Sequence, residues 1–153
     1  LRTVSDWAVL PLRVIVGYGF FAHGYAKLAR GPANFTAVLA ALHMPFPEFL
    51  AWATILLEVL CGLAVLAGFF VRVTALPMIP ILLVAILTVH LPNGFSSIKL
   101  LSVDAAGAHF GPPGYETDLL YLAAIAALLL AGPGPWAISR LLWDDTMRIG
   151  LKS

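Results

Sequence analysis

Four long apolar runs constrain this chain more than any other feature. They extend from about Trp7 to Leu28, Phe49 to Phe70, Val73 to Leu91 and Thr117 to Ile138. Each is close to the ~20 residues a helix needs to cross ~30 Å of hydrocarbon. A spanning segment must satisfy its own backbone groups, so helix is the expected conformation. A soluble core helix of this length keeps a polar face, and the second and fourth runs have almost none. Composition agrees, with 61% hydrophobic and 11% charged residues against about 25% charged in an ordinary soluble domain. Mean hydropathy is +0.94. Disordered, collagen-like and ordinary soluble-enzyme classes are excluded. The expected fold is all-α: one integral membrane four-helix bundle over residues 1–153, with a short interfacial helix between its first two spans.

Net charge is +1, so no basic surface argues for nucleic acid. The single cysteine, Cys61, excludes an intrachain disulfide framework, a CxxC redox pair and a cysteine-ligated iron–sulfur cluster. The first apolar run is a poor cleavable signal. It carries Arg13 in its middle and lacks a small-x-small cleavage site. It is expected to be retained as the first span.

The connections differ in character. Spans two and three are separated only by a tight turn around Val71–Arg72. The first loop, Ala29–Glu48, repeats Phe35, Val38, Leu39 and Leu42 at helical spacing, the pattern of a helix lying along a membrane surface. The second long loop, Pro92–Glu116, is rich in Gly, Pro and Ser. It is expected to be irregular, with a short helix near Ser96–Leu101. Gly132-Pro133-Gly134-Pro135 should end the fourth helix, with Trp136 and Trp143 as interfacial anchors.

Arg2, Arg72, Arg140, Arg148 and Lys152 fall on one side of these spans, and Lys27, Arg30 and Lys99 on the other. The positive-inside rule then puts both termini, with residues 139–153 as a tail, in the cytoplasm. His23, His43, His90 and His109 gather on the outer side, with Lys27, Asp104 and Glu116.

Arg13 and Glu58 are ionisable groups inside spans, which costs ~2.5–3.5 kcal/mol on insertion scales and usually demands an inward face and a partner. At 1.5 Å per residue, Arg13 lies ~8 Å deep, Glu58 ~16 Å and His23 ~22 Å. Arg13 and Glu58 are therefore candidate partners, with His23 approaching Glu58 from the other side. Arg13, Gly17, Phe20, Gly24 and Lys27 share one narrow helical face, and its glycines predict close packing. Ala123, Ala127 and Ala131 offer a matching small face on the fourth helix. Two readings stand side by side: a structural Arg13–Glu58 pair, or proton handling and head-group binding by Glu58 with His23. Arg13 snorkelling to the inner interface is a third.

His90 ends the third span and reads either as an interfacial hydrogen-bonder or as a ligand. With His23 it could hold a quinone carbonyl or, less in keeping with the spacing, a haem. No HxxxH-type spacing supports a preformed metal site. Pro77 and Pro80 should kink the third span and open a cavity.

Several stretches resemble one known family. RVIVG at 13–17 and FFAHGYAKL at 20–28 look like the first-span motif of the DoxX family. LEVLCG at 57–62, with Gly68, resembles its second span, and VHLPNGF at 89–95 the end of its third. GYE at 114–116, LLYL at 119–122 and GPG at 132–134 resemble the fourth. The likeness runs over roughly residues 9–138. It implies a small four-helix protein of the bacterial inner membrane. Relatives are linked to quinol oxidase, to thiosulfate–quinone oxidoreduction and to membrane complexes that handle thiol or oxidative stress. The family's recurring polar positions fall on Arg13, His23, Lys27, Glu58, His90 and Glu116.

The expected function is a subunit of, or accessory to, a quinone-linked redox complex in the bilayer. Glu58 and His23 are then the candidate catalytic groups. His23, His90, Arg13, Lys27 and Glu116 are the candidate quinone-binding groups. The alternatives are a stand-alone quinol oxidoreductase, to which a carboxylate–histidine pair would offer a proton acceptor, and a small transporter or proton path. Halves of a transporter usually repeat, and these do not. Partner subunits and a homo-oligomer both suit a bundle this small.

Overall fold

The computed structural model describes residues 4–139. Among the described residues the regular structure is helical apart from one two-stranded hairpin. Helix α1 spans Val4–Arg30, α2 Pro32–Ala41 and α3 Pro47–Ala67. Helix α4 is the run Val71–Asn93, with its turns interrupted near Pro77, π-helical at Ile86–His90 and 3-10 at Leu91–Asn93. The antiparallel strands β1, Leu100–Asp104, and β2, Gly107–Phe110, follow, and then α5, Glu116–Ala131. Trp143 and the cations Arg2, Arg140, Arg148 and Lys152 lie outside the described residues, as does all of the tail beyond Ser139.

Among the described residues, two helices are long and apolar enough to cross a membrane, α3 with 21 residues and α4 with 23. Few of their side chains are buried: only 28% and 17% of their apolar windows lie inside the protein. Leu60 on α3 and Leu87 on α4 are both exposed. A helix hidden in a soluble core would bury such residues, so the outward apolar belt is the surface of a protein solvated by lipid.

Helices α1 and α3 run antiparallel at backbone contact. A Cβ on Gly17 would lie 2.5 Å from the Leu66 nitrogen, and one on Gly62 2.5 Å from the Phe21 nitrogen. A Cβ on Gly24 would lie 2.8 Å from the Glu58 Cβ. These glycines set the register: Gly24 faces Glu58 and Val59, and Gly17 faces Leu66. The inward face expected for α1 is present, since Arg13, Gly17, Phe20 and Gly24 are all buried. The core beside it is Val16, Phe20, Val65, Met78, Leu82, Ile125 and Leu128.

Three expectations need correction. The turn between α3 and α4 falls at Gly68–Phe70 rather than Val71–Arg72, because Gly68 adopts φ 75° and ends α3. The inward face of α5 is Asp118, Ile125 and Leu128, not the Ala123–Ala127–Ala131 stripe; Ala123 and Ala131 are exposed. Tyr121 completes that inward face by fitting over Gly19 of α1. The region expected to hold a short helix near Ser96–Leu101 leads into the β1–β2 hairpin, whose register pairs Asp104 with Gly107.

Helix α5 stops at Ala131, where Gly132 turns to φ 83° ahead of Pro133. The segment after it folds back toward the α3–α4 turn, and Ser139 Oγ donates to the Gly68 carbonyl at 2.9 Å. Trp136 meets Trp7 edge-on, with ring centroids 5.1 Å apart.

Candidate functional site

The expected Arg13–Glu58 pair does not form. Arg13 lies beside Gly68, ten residues along α3 from Glu58, a distance of ~15 Å at 1.5 Å per residue. Its guanidinium donates instead to three carbonyls of the returning segment: Pro133 at 2.5 Å, Pro135 at 2.9 Å and Trp136 at 3.5 Å. Pro133, Pro135 and Trp136 follow α5 outside any helix, so their carbonyls lack helical partners, and the planar arginine fork satisfies several at once. Arg13 is 3% exposed and closes the end of the bundle that holds the α3–α4 turn.

Glu58 takes its partner from the other end of α1. Lys27 Nζ donates to both carboxylate oxygens, at 2.6 Å to Oε1 and 2.5 Å to Oε2. Gly24 lets α3 approach at this level, and Lys27 lies one turn beyond Gly24 on the same face. Glu58 is buried, and Lys27 also sits 5.0 Å over the Phe35 ring of α2.

A second pair joins α4 to α5. His90 Nδ1 and Asp118 Oδ2 are 2.5 Å apart, with Asp118 buried in the first turn of α5. His90 ends the π-helical turn of α4. Such turns recur at functional sites because they widen the helix and redirect its side chains. Sequence reasoning missed Asp118. The available signal was a carboxylate just inside the fourth apolar run, as expensive there as Glu58.

Both pairs line one cavity of about 620 Å³ at the long-loop end of the bundle. Phe20 and His23 of α1 line it, as do Phe35 and Leu39 of α2 and Thr54 of α3. Pro77 and Pro80 contribute from α4, as the sequence led us to expect, and Tyr121 from α5. The wall is mostly apolar, interrupted by the two pairs, by Thr54, Thr88 and Thr117 on helices and by the exposed His23. Among the candidate residues, His23, Lys27, Glu58 and His90 therefore converge. Arg13 and Glu116 lie off the lining. Glu116 braces the preceding loop, where its carboxylate accepts from the Ser97 N–H at 2.9 Å. His43 also lies off the lining, and His109 pairs with Asp104 on the exposed hairpin. No group of three or more His, Cys, Asp or Glu able to hold a metal ion occurs among the described residues.

The sequence model of the DoxX family matches residues 8–91, which takes in Arg13, His23, Lys27, Glu58 and His90. The chain belongs to the DoxX family. This DoxX protein is also 30% identical over 143 residues to the uncharacterized membrane protein Rv3486 of Mycobacterium tuberculosis. That alignment covers 88% of the chain and 81% of the relative, so the likeness extends past the family match toward α5. No solved structure matches this DoxX protein.

Proposed function

We propose that this DoxX protein is a quinone-binding membrane subunit of a redox complex. In this reading α1, α3, α4 and α5 cross a bacterial inner membrane as a four-helix bundle. Helix α2 lies in the outer interface, and both termini are cytoplasmic. The observation that carries the proposal is the convergence of two side-chain pairs, Lys27–Glu58 and His90–Asp118, from four helices on one largely apolar cavity. A quinone has an apolar body and two polar ends, and pockets for such ligands are apolar with a few placed polar groups. Lys27 supplies N–H donors to a ligand carbonyl, Glu58 a proton acceptor, and His23 a further polar contact at the exposed rim. The apolar faces of α2 and α4 enclose the ring and its tail.

In a subunit role the electrons of a bound quinol pass to a partner in the complex. Native mass spectrometry of the protein released gently from its own membranes tests this. The expected result is a heteromeric assembly that contains an oxidoreductase and a bound molecule of quinone mass. A chain released alone, with nothing bound, would contradict it.

A further inference from the structure

We propose that Asp118 fixes the tautomer of His90, so that the cavity presents a hydrogen-bond acceptor at His90 Nε2 and selects a ligand bearing a hydroxyl: the reduced hydroquinone over the oxidised quinone. The inference rests on the quinone reading above and adds which redox form is held and which residues choose it.

An ionised carboxylate only accepts hydrogen bonds. Asp118 Oδ2 lies 2.5 Å from His90 Nδ1, so the imidazole proton resides on Nδ1. In a neutral imidazole the other nitrogen then carries the lone pair. His90 lines the cavity and its Nδ1 is taken, which leaves Nε2 for a ligand. Asp118 sits in the first turn of α5, where the helix N-terminus favours its negative charge. The other ionisable groups on the wall are His23, Lys27, Glu58 and Tyr121. Lys27 and Glu58 neutralise each other through two contacts, so the wall holds one committed carboxylate–histidine dyad besides that pair. A hydroxyl donates to Nε2. A quinone carbonyl would set two acceptors against each other, a mismatch that a buried site rejects by about tenfold or more.

The test uses the whole protein in lipid nanodiscs at pH 8.5, with decylubiquinol and decylubiquinone as probes. The wild-type protein is expected to bind the quinol about tenfold or more tightly than the quinone. Asp118→Asn should erase or invert that preference, since an amide no longer enforces the Nδ1–H tautomer. His90→Ala should bind both forms alike, and serves if Asp118→Asn fails to assemble. Nitrogen NMR of the histidine-labelled, probe-free protein should report Nδ1–H in the wild type and a shift toward Nε2–H in Asp118→Asn, a change that a purely packing role would not produce. Equal wild-type binding of the two forms, or an unchanged preference in the variants, overturns the selection while leaving the quinone reading intact. Failure of the wild type to bind either form contradicts the quinone reading and this inference with it.

Discussion

Lys27 holds both carboxylate oxygens of Glu58 across the α1–α3 contact, at 2.6 and 2.5 Å, and this pair forms one wall of the cavity. Removing one partner strands the other as an unpaired buried charge, whereas replacing both by apolar groups does not. Lys27→Met is therefore expected to lower stability by about 3 kcal/mol, and Lys27→Met with Glu58→Leu to restore most of it. Unfolding in mixed micelles measures both. The double variant should still lose decylubiquinone binding, because the polar contacts are gone although the fold is kept.

Backbone contact between α1 and α3 is equally specific. Gly62→Ala sets a methyl 2.5 Å from the Phe21 nitrogen, which no side-chain rotation relieves. A loss of about 1–3 kcal/mol follows, read as a lowered Tm. Gly111→Ala is the control: its methyl would meet only the flexible Leu101 side chain, at 3.5 Å, and Tm should not move.

Arg13 anchors the segment that returns after α5. Arg13→Lys keeps the charge but cannot serve carbonyls of Pro133, Pro135 and Trp136 together. Limited proteolysis should cut near residues 132–139 faster in Arg13→Lys and in Arg13→Leu than in the wild type. Unchanged cleavage in both would show that the contacts to Arg13 do not hold the segment.

These contacts also mark where the sequence was readable and where it was not. Glycine and charge at helical spacing identified the inward face of α1, because a backbone contact needs glycine wherever it occurs. The partner of Glu58 was hidden, because depth counted from the apolar ends assumes level helices. The glycine contacts instead set Arg13 opposite Gly68 and Gly24 opposite Glu58. The hairpin was hidden by its flanks: Gly, Pro and Ser around Leu100–Phe110 read as irregular chain, and both strands are exposed on both faces, so no alternation marks them. Asp118 is hard to single out in sequence because an acid in the first turn of a helix has an ordinary explanation in the helix dipole.

The hairpin carries its own pH dependence. The hydrogen bond to His109, followed by the Ala106 N–H, holds the Asp104 carboxyl below its ordinary value. A depressed carboxyl stabilises the fold above its unfolded value, near 4, and that support fades as pH falls through the folded value. Amide exchange across residues 100–110, once corrected for intrinsic rates, should therefore gain acid-dependent opening as pH falls below about 4. Asp104→Asn should remove the acid-dependent part.

Orientation can be read directly. A reporter fused after Ser153 is expected to be active only in its cytoplasmic form, and a periplasmic signal would reverse the assignment of the cavity to the outer side.

The central claim is that the cavity between the two pairs takes a quinone, and filling the cavity tests it most directly. Ala53 of α3 lines it, and Ala53→Phe adds a ring to the wall while leaving the residues of both pairs in place. Decylubiquinone titrated into the wild-type protein in nanodiscs should quench tryptophan fluorescence saturably, with one site per chain. Ala53→Phe, folded to the same Tm, should abolish that saturable phase. Equal saturable binding by Ala53→Phe, or none by the wild type, would contradict the account.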